Sequence, residues 1–173
     1  MQRRTFTMAT AAAVAAFGQE QKKKARPSPP AETSVEVNGK KIAIKYSAPS
    51  MRGRKIFGEL VPFGQVWRAG ANEATALHTD AALSIGNLSV PSGDYTFYVL
   101  PTATSWELIV NKQTGQWGTV YNAGNDLGRV KMALSKASSA VETYKMTLSK
   151  DGPGAKLQLE WENTVAAISI AVK

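Results

Sequence analysis

The chain has 173 residues, a formal net charge of +8 and no cysteine. This length accommodates one domain with a leader, and the lack of cysteine excludes disulfides, zinc–thiolate sites, iron–sulfur clusters, a cysteine nucleophile and a lipid anchor attached to cysteine. Much of the positive charge lies in the first 26 residues, so the rest is only mildly basic and we predict no nucleic-acid partner.

Residues 1–18 have the features of an export signal. Arg3 and Arg4 are followed by Phe6 and by a short alanine-rich stretch that ends near Gly18. This pattern predicts a signal peptide cleaved after Gly18, and the paired arginines resemble the twin-arginine signal. The alternative is the basic region of a general secretory signal. Both routes predict a periplasmic or extracellular protein of a bacterium, and the apolar stretch is too short for a membrane span, which needs about 20 residues.

Residues 19–32 are rich in lysine and proline, a composition typical of a flexible tether. We therefore predict a basic, Pro-rich linker over 19–32 and a single β domain over 33–173. Lysines in the tether could contact anionic lipid or cell wall, but a solvated linker is the simpler interpretation.

The domain is predicted to be all-β, as an antiparallel β-sandwich or a partly open barrel. Asn38 and Gly39 separate two alternating apolar segments, and this pair is a strong hairpin signal because both turn positions need positive φ. Further strands are predicted where apolar residues alternate or cluster between turn residues, at 75–79, 83–85, 94–100, 106–111, 130–134, 141–148, 155–161 and 165–172. No long helix is predicted; a helical turn is considered near 125–130.

Residues 49–74 are predicted to be a long structured loop, with one helical turn near residues 56–60. Its glycines and prolines oppose a regular helix or central strand, whereas its apolar residues are too many for a solvated loop. We predict that the loop covers one end of the sandwich, with Arg52 at the surface and with four side chains turned inward, namely Ile56, Leu60, Val61 and Trp67.

Catalytic signals are scarce. His78 is the only histidine, and the sequence contains no Gly-x-Ser-x-Gly elbow and no phosphate-binding glycine loop. We predict no catalytic residue, no metal site and no cofactor. A glycosidase-like carboxylate pair stays open, since such pairs converge only in three dimensions.

The candidate ligand-binding residues combine arginines, tryptophans and two polar side chains, namely Arg54, Arg68, Asn72, Glu73, Trp67 and Trp117. Planar cations beside aromatic rings can hold anionic or sugar-like ligands by paired hydrogen bonds and stacking. The competing interpretation is that these side chains tie an irregular loop together. Because an unpaired buried guanidinium is costly, Arg68 is expected to pair with Glu73 or, second, with Glu59. Trp161 is expected in the core and Trp117 at the surface.

A family resemblance is carried by residues 53–75, which read Gly53-Arg54-Lys55-Ile56-Phe57-Gly58, then Leu60-Val61-Pro62-Phe63-Gly64, then Val66-Trp67-Arg68-Ala69-Gly70-Ala71-Asn72-Glu73-Ala74-Thr75. The likeness continues at Pro91-Ser92-Gly93-Asp94-Tyr95, at 106–111, at Gln116-Trp117-Gly118 and at Tyr121. These segments resemble the family of exported bacterial proteins known as domain of unknown function 2911. The resemblance implies an extracytoplasmic β-rich domain and supplies no activity, ligand or catalytic residue.

Three functional hypotheses follow. The first is a non-catalytic ligand- or partner-binding module of the periplasm or cell surface, whose partner is an envelope glycan or an anionic small molecule. The second is a hydrolase of cell-envelope material that uses Glu73, with Arg68 as its electrostatic partner. The third is a purely structural envelope protein. An enzyme should gather these side chains in a deep pocket, whereas a binding module should present them on a shallow face.

Overall fold

The computed structural model describes residues 25–173, so the predicted leader and residues 19–24 of the predicted linker lie outside the described residues. Within that range, the chain forms strands β1 (Pro30–Val37), β2 (Lys40–Ser47), β3 (Thr75–Thr79), β4 (Leu83–Ile85), β5 (Leu88–Val90), β6 (Gly93–Pro101), β7 (Trp106–Asn111), β8 (Asp126–Asp151) and β9 (Gly154–Val172), and a short 3-10 turn at Ala123–Asn125. None of the described residues forms a helix that could cross a membrane.

The strands form a single antiparallel sheet that does not close into a barrel, in the order β1-β2-β3-β6-β7-β8-β9-β4-β5. The predicted all-β class is therefore confirmed. The first residues of β8 pair with β7 and the remainder with β9. β1 and β8 are not neighbours in the sheet, yet the amide of Leu148 donates to Thr33 Oγ1 at 2.9 Å, so the sheet curves back over itself around the core.

The hairpin between β1 and β2 shows how local sequence sets this register. Asn38 and Gly39 have φ values of 53° and 73°, as the turn requires. Val37 pairs with Lys40 directly across the turn, and the register continues to the pair Pro30–Ser47. The predicted hairpin is confirmed, although β1 begins at Pro30, inside the range predicted as linker.

The core lies on the concave side of the sheet and contains a cluster of aromatic rings. Trp161, Trp106 and Tyr144 are buried there, and Trp161 is only 2% exposed, as predicted. Trp67 joins them, with its ring stacked on Trp161 at a centroid distance of 5.9 Å. Burial of such large rings supplies much of the hydrophobic stabilisation, because each removes a large apolar area from water.

The two longest strands differ from the prediction. β8 and β9 are each continuous where two separate strands were predicted. Residues 135–140 lack apolar alternation, but pairing with β9 extends through Lys136, and the register becomes irregular only between Lys136 and Lys145. In β9 the break falls at Glu162, whose φ of 54° marks a local bulge rather than a strand end. The prediction of a helical turn near 125–130 is wrong: a 3-10 turn occupies Ala123–Asn125, and β8 begins at Asp126.

The loop over residues 49–74 packs against the core. The predictions that Ile56 and Val61 turn inward and that Arg52 lies at the surface are confirmed. Ile56 and Val61 are buried and Arg52 is exposed. The prediction for Leu60 is wrong, since its side chain is 45% exposed. No helical turn forms there: the carbonyl of Ile56 accepts from the amide of Val61 at 2.9 Å, which closes a tight turn and directs the intervening Leu60 outward.

Two glutamates on the long strands fasten this loop. The carboxylate of Glu162 accepts from the amides of Ile56 and Phe57 at 3.5 and 3.3 Å. The carboxylate of Glu142 accepts from the amide of Arg52 at 2.9 Å. Backbone groups in a loop need partners, and here acidic side chains from β8 and β9 supply them.

Candidate functional site

A cleft of about 430 Å³ opens between the loop over residues 49–74 and a second loop over residues 112–122. Its lining includes the polar residues Arg54, Arg68 and Tyr121, together with Trp67 and the almost fully buried Trp161. No Asp, Glu or His from the described part of the chain lines it. The volume lies in the range typical of small-molecule sites, and the lining carries positive charge only.

A local strand-like pairing places Trp67 and Arg68. Trp67 and Val99 exchange backbone hydrogen bonds of 2.7 and 2.8 Å, so this segment runs beside β6. Successive side chains of an extended segment point to opposite sides. Trp67 therefore enters the aromatic cluster, and Arg68 lies on the other side, across Gly118.

Arg68 is half-buried and makes no ion pair with any residue in the range 25–173. The predicted pairing is wrong for both partners. Glu73 pairs with Arg26 at 2.5 Å, and Glu59 faces Lys55 at 3.9 Å on the exposed side of the loop. Strand alternation explains the difference, because it turns Arg68 into the cleft and away from both carboxylates.

The guanidinium of Arg68 retains most of its hydrogen-bonding capacity. It carries five N–H donors, of which the described structure uses Nε alone, in a 3.4 Å bond to the carbonyl of Gly70. Burial lowers the pKa of Arg68 from its ordinary value because the charged form loses hydration. The group stays cationic at neutral pH, since the ordinary pKa of arginine lies so high.

Gly118 allows Arg68 to occupy this position. A Cβ atom on Gly118 would lie 2.3 Å from Cδ of Arg68 and 2.7 Å from the carbonyl oxygen of Asn72. The amide of Gly118 also donates to that carbonyl at 3.0 Å. Any larger residue at this position would force either Arg68 or the backbone near Asn72 to move.

Arg54 forms the second cationic part of the lining. Its Nε donates to the carbonyl of Met51 at 2.9 Å and its Nη2 to the carbonyl of Ser50 at 2.8 Å. These bonds hold the exposed guanidinium against its own loop. The Nη1 group takes part in neither of them. Arg54 therefore ties the loop together and also lines the cleft.

The remaining candidates lie beside the cleft and do not line it. Asn72 donates through Nδ2 to the carbonyl of Ser28 at 3.1 Å, with a φ of 58°. Glu73 borders a separate pocket of about 310 Å³. Trp117 is 50% exposed, as predicted, and its backbone bridges to Glu73. Of the six predicted residues, the structure brings Arg54, Arg68 and Trp67 into one cavity.

Residues 26–29 form a short strap beside the cleft that sequence reasoning did not identify. Arg26 pairs with Glu73, the carbonyl of Pro27 accepts from Arg52, and the carbonyl of Pro29 accepts from the amide of Ala48. Ser28 itself lines the cleft. No local signal could identify the strap, because most of its partners lie more than twenty residues away in the chain.

Tyr121 is a second lining residue that was not among the candidates, although it belongs to the segments that carry the family resemblance. Its hydroxyl donates to Asp126 Oδ2 at 2.6 Å and accepts from Arg129 Nη2 at 2.9 Å. Burial, followed by the carboxylate of Asp126, raises the pKa of Tyr121, so the phenol stays neutral. Because its O–H proton is donated to Asp126, Tyr121 can offer a ligand an aromatic ring, but no charge and no free donor.

The chain matches the model of a known protein family. The family model described as "Protein of unknown function (DUF2911)" matches residues 28–170, which is most of the chain. No significant match was found among curated proteins or among solved structures. The matched range begins in the strap and contains the whole lining of the cleft.

Proposed function

Because the chain belongs to the DUF2911 family of proteins of unknown function, we propose from the cleft itself that this is a non-catalytic module that binds a small anionic ligand. The observation that carries the proposal is Arg68. It is half-buried in a cavity, it is charged, and it has no carboxylate partner among the described residues.

A partly buried guanidinium without a carboxylate partner is expected to bind an anion. Partial burial removes hydration from the charge, and no carboxylate within residues 25–173 compensates it. A carboxylate, phosphate or sulfate group would accept two parallel hydrogen bonds from the planar fork. Arg54 lines the same cavity and adds a second positive charge, so the field in the cleft favours anions over neutral molecules.

The aromatic residues of the lining further restrict the class of ligand that fits the cleft. Trp67 and Tyr121 line the cleft, and Trp161 borders it although it is almost fully buried. Such surfaces favour flat or apolar groups beside the anionic one. An acidic sugar of the envelope and a small organic acid both have this chemistry.

The geometry favours binding over hydrolysis by Glu73. That hypothesis needs Glu73 and Arg68 at one substrate, but Glu73 borders the other pocket and is paired with Arg26. The hydrogen bond from Arg26 lowers the pKa of Glu73, so its carboxyl group holds a proton less readily than an ordinary glutamate. A general acid that works near neutral pH needs the opposite shift.

We place this module outside the cytoplasm, on the strength of the leader sequence and the resemblance described above. The twin-arginine interpretation predicts that Arg3→Lys together with Arg4→Lys leaves precursor in the cytoplasm, as measured by fractionation and immunoblotting. A general secretory signal would tolerate this double change, because it needs positive charge and not paired arginines.

The binding proposal is tested by calorimetric titration of the mature protein with phosphate, sulfate, acetate and glucuronate, and with neutral glucose. We expect at least one anion to bind and glucose not to bind. Arg68→Gln should weaken that binding at least tenfold. Lys55→Gln is the matched control, since it removes an exposed cation of the same loop from outside the cleft and should leave affinity within about twofold. If no anion binds, or if Arg68→Gln binds as well as the parent, the proposal is wrong.

A further inference from the structure

Exposed hydrophobic side chains gather around the cleft. Within the part of the chain that the structure describes, the large hydrophobic residues with high exposure are Leu60 at 45%, Phe63 at 42%, Trp117 at 50% and Val120 at 51%. All of them belong to the two loops that bound the cleft. Leu60 lines the cavity directly, and each of the others is adjacent in sequence to a lining residue.

These side chains are not equally available to a ligand. Phe63 packs over Gly58, where a Cβ atom would lie 2.9 Å from the phenylalanine ring, so its position is explained by the loop itself. Trp117 lies next to the second pocket through its backbone bridge to Glu73. Leu60 and Val120 remain: Leu60 lines the cavity, and Val120 lies on the opposite loop between Thr119 and Tyr121, which line it.

Single exposed hydrophobic residues are ordinary, but their concentration around one charged cavity is not. The cavity offers guanidinium groups from Arg54 and Arg68 and aliphatic surface from Leu60, and the exposed Val120 is flanked in sequence by residues that line it. A ligand that satisfies both must itself be divided, with one anionic end and one apolar end. A fully hydrated anion such as phosphate would leave the aliphatic rim exposed to water.

We infer that the ligand is an anionic amphiphile: a carboxylate or phosphate head bound by Arg68 and Arg54, joined to an aliphatic tail that covers Leu60 and Val120. This inference rests on the proposed anion-binding function and specifies the class of anion. The tail is bound by loss of apolar surface from water, whereas the head is bound by charge-assisted hydrogen bonds. The two parts of the ligand therefore respond to different substitutions.

The test is a homologous series of straight-chain carboxylates from acetate to decanoate, each below its micelle concentration, titrated into the mature protein by calorimetry. A matched series of alkyl phosphates replaces the head group. Affinity should rise about fourfold with each methylene until the tail extends beyond the rim. Decanol, which has the tail without the charge, should bind at least tenfold more weakly than decanoate.

Two variants separate the head from the tail. Leu60→Ser with Val120→Ser should flatten the dependence on chain length and leave the affinity for acetate or methyl phosphate unchanged. Arg68→Gln should weaken every member of the series by a similar factor. Both rim residues are already half-exposed, so the double change should not affect folding, and unchanged circular dichroism checks this.

Each outcome has a defined meaning. If short and long anions bind equally, the amphiphile inference is overturned while the anion-binding function stands. If no anion binds, the proposed function fails and the inference with it. Binding to phosphatidylglycerol vesicles without any binding of monomeric anions would make the partner a lipid surface, which also overturns the inference.

Discussion

At the scale of single residues, Gly118 is the position where a small change has the largest expected effect. Gly118→Ala places a Cβ atom 2.3 Å from Cδ of Arg68 and 2.7 Å from the carbonyl of Asn72. We expect a loss of about 1–3 kcal/mol in the free energy of unfolding, measured with urea, together with weaker anion binding. Adding Arg68→Ala removes one of the two clashes. The double variant should therefore lose less stability than the two single variants lose in sum.

Arg68 itself should show opposite effects on stability and on binding. Its half-buried charge has no carboxylate partner within residues 25–173, so Arg68→Met replaces a poorly solvated cation by an apolar chain of similar length. We expect the ligand-free protein to gain up to about 1 kcal/mol in the free energy of unfolding, while anion binding is lost. A clear decrease in stability would show that Arg68 mainly supports the loop.

At the scale of structural elements, the attachment of the loop over residues 49–74 can be tested through Glu162. Its carboxylate accepts the amides of Ile56 and Phe57, so Glu162→Gln weakens both bonds by removing the charge. We expect a loss of about 1 kcal/mol, given the long distances, and faster hydrogen exchange at those two amides by NMR. Glu160→Gln on the same strand is the control and should leave their exchange unchanged.

Several strands could be predicted because the residues that define them lie within the strand or directly beside it. The limits of β3, β4 and β7 agree with the prediction, since turn residues flank each apolar run. β5 was not predicted, because its three residues are too few to show an alternation of apolar side chains. The continuity of β8 through residues 135–140 could not be predicted either, since it depends on pairing with β9 and not on the composition of the segment.

The candidate site was only partly predictable for a similar reason. Arginine and tryptophan content identified the correct loop, and alternation around Trp67 could have indicated that Arg68 points away from the core. The partner of Glu73 could not be identified, because Arg26 lies 47 residues earlier in a segment with the composition of a linker. Contacts at that separation depend on the completed sheet.

At the scale of the whole molecule, His78 connects neighbouring parts of the sheet and makes stability depend on pH. Its Nδ1 lies 2.7 Å from Asp94 on β6, and its Nε2 lies 3.1 Å from Asp80 after β3. The hydrogen bond to Asp94, then that to Asp80, raises the pKa of His78 above its ordinary value of 6.5. Since the folded pKa is raised, this contribution is complete below about pH 6.5 and is lost as the pH rises through the folded value.

The measurement is the free energy of unfolding of the parent minus that of His78→Gln, from about pH 5.5 to 8.5. We expect a positive difference at the acidic end that declines with increasing pH, and a small amplitude because the cluster is exposed to solvent. The pKa of Asp80 is lowered, first by the amide of Lys41 and then by His78, so its own contribution persists down to acidic pH. Asp94→Asn should reduce the decline, and a difference that does not vary with pH would refute the role of His78.

The stacked pair of Trp67 and Trp161 gives the cleft its own optical signal. The two indoles lie 5.9 Å apart and are inclined by only 20°, and both border the cavity. Chromophores this close couple electronically, so Trp67→Phe should change the aromatic circular dichroism of the protein. A ligand that enters the cleft changes the polarity beside Trp67, which is only partly buried, and should shift the tryptophan fluorescence emission. Occupancy can then be followed without a label, and the unidentified natural ligand can be sought by fractionating extracts against that signal.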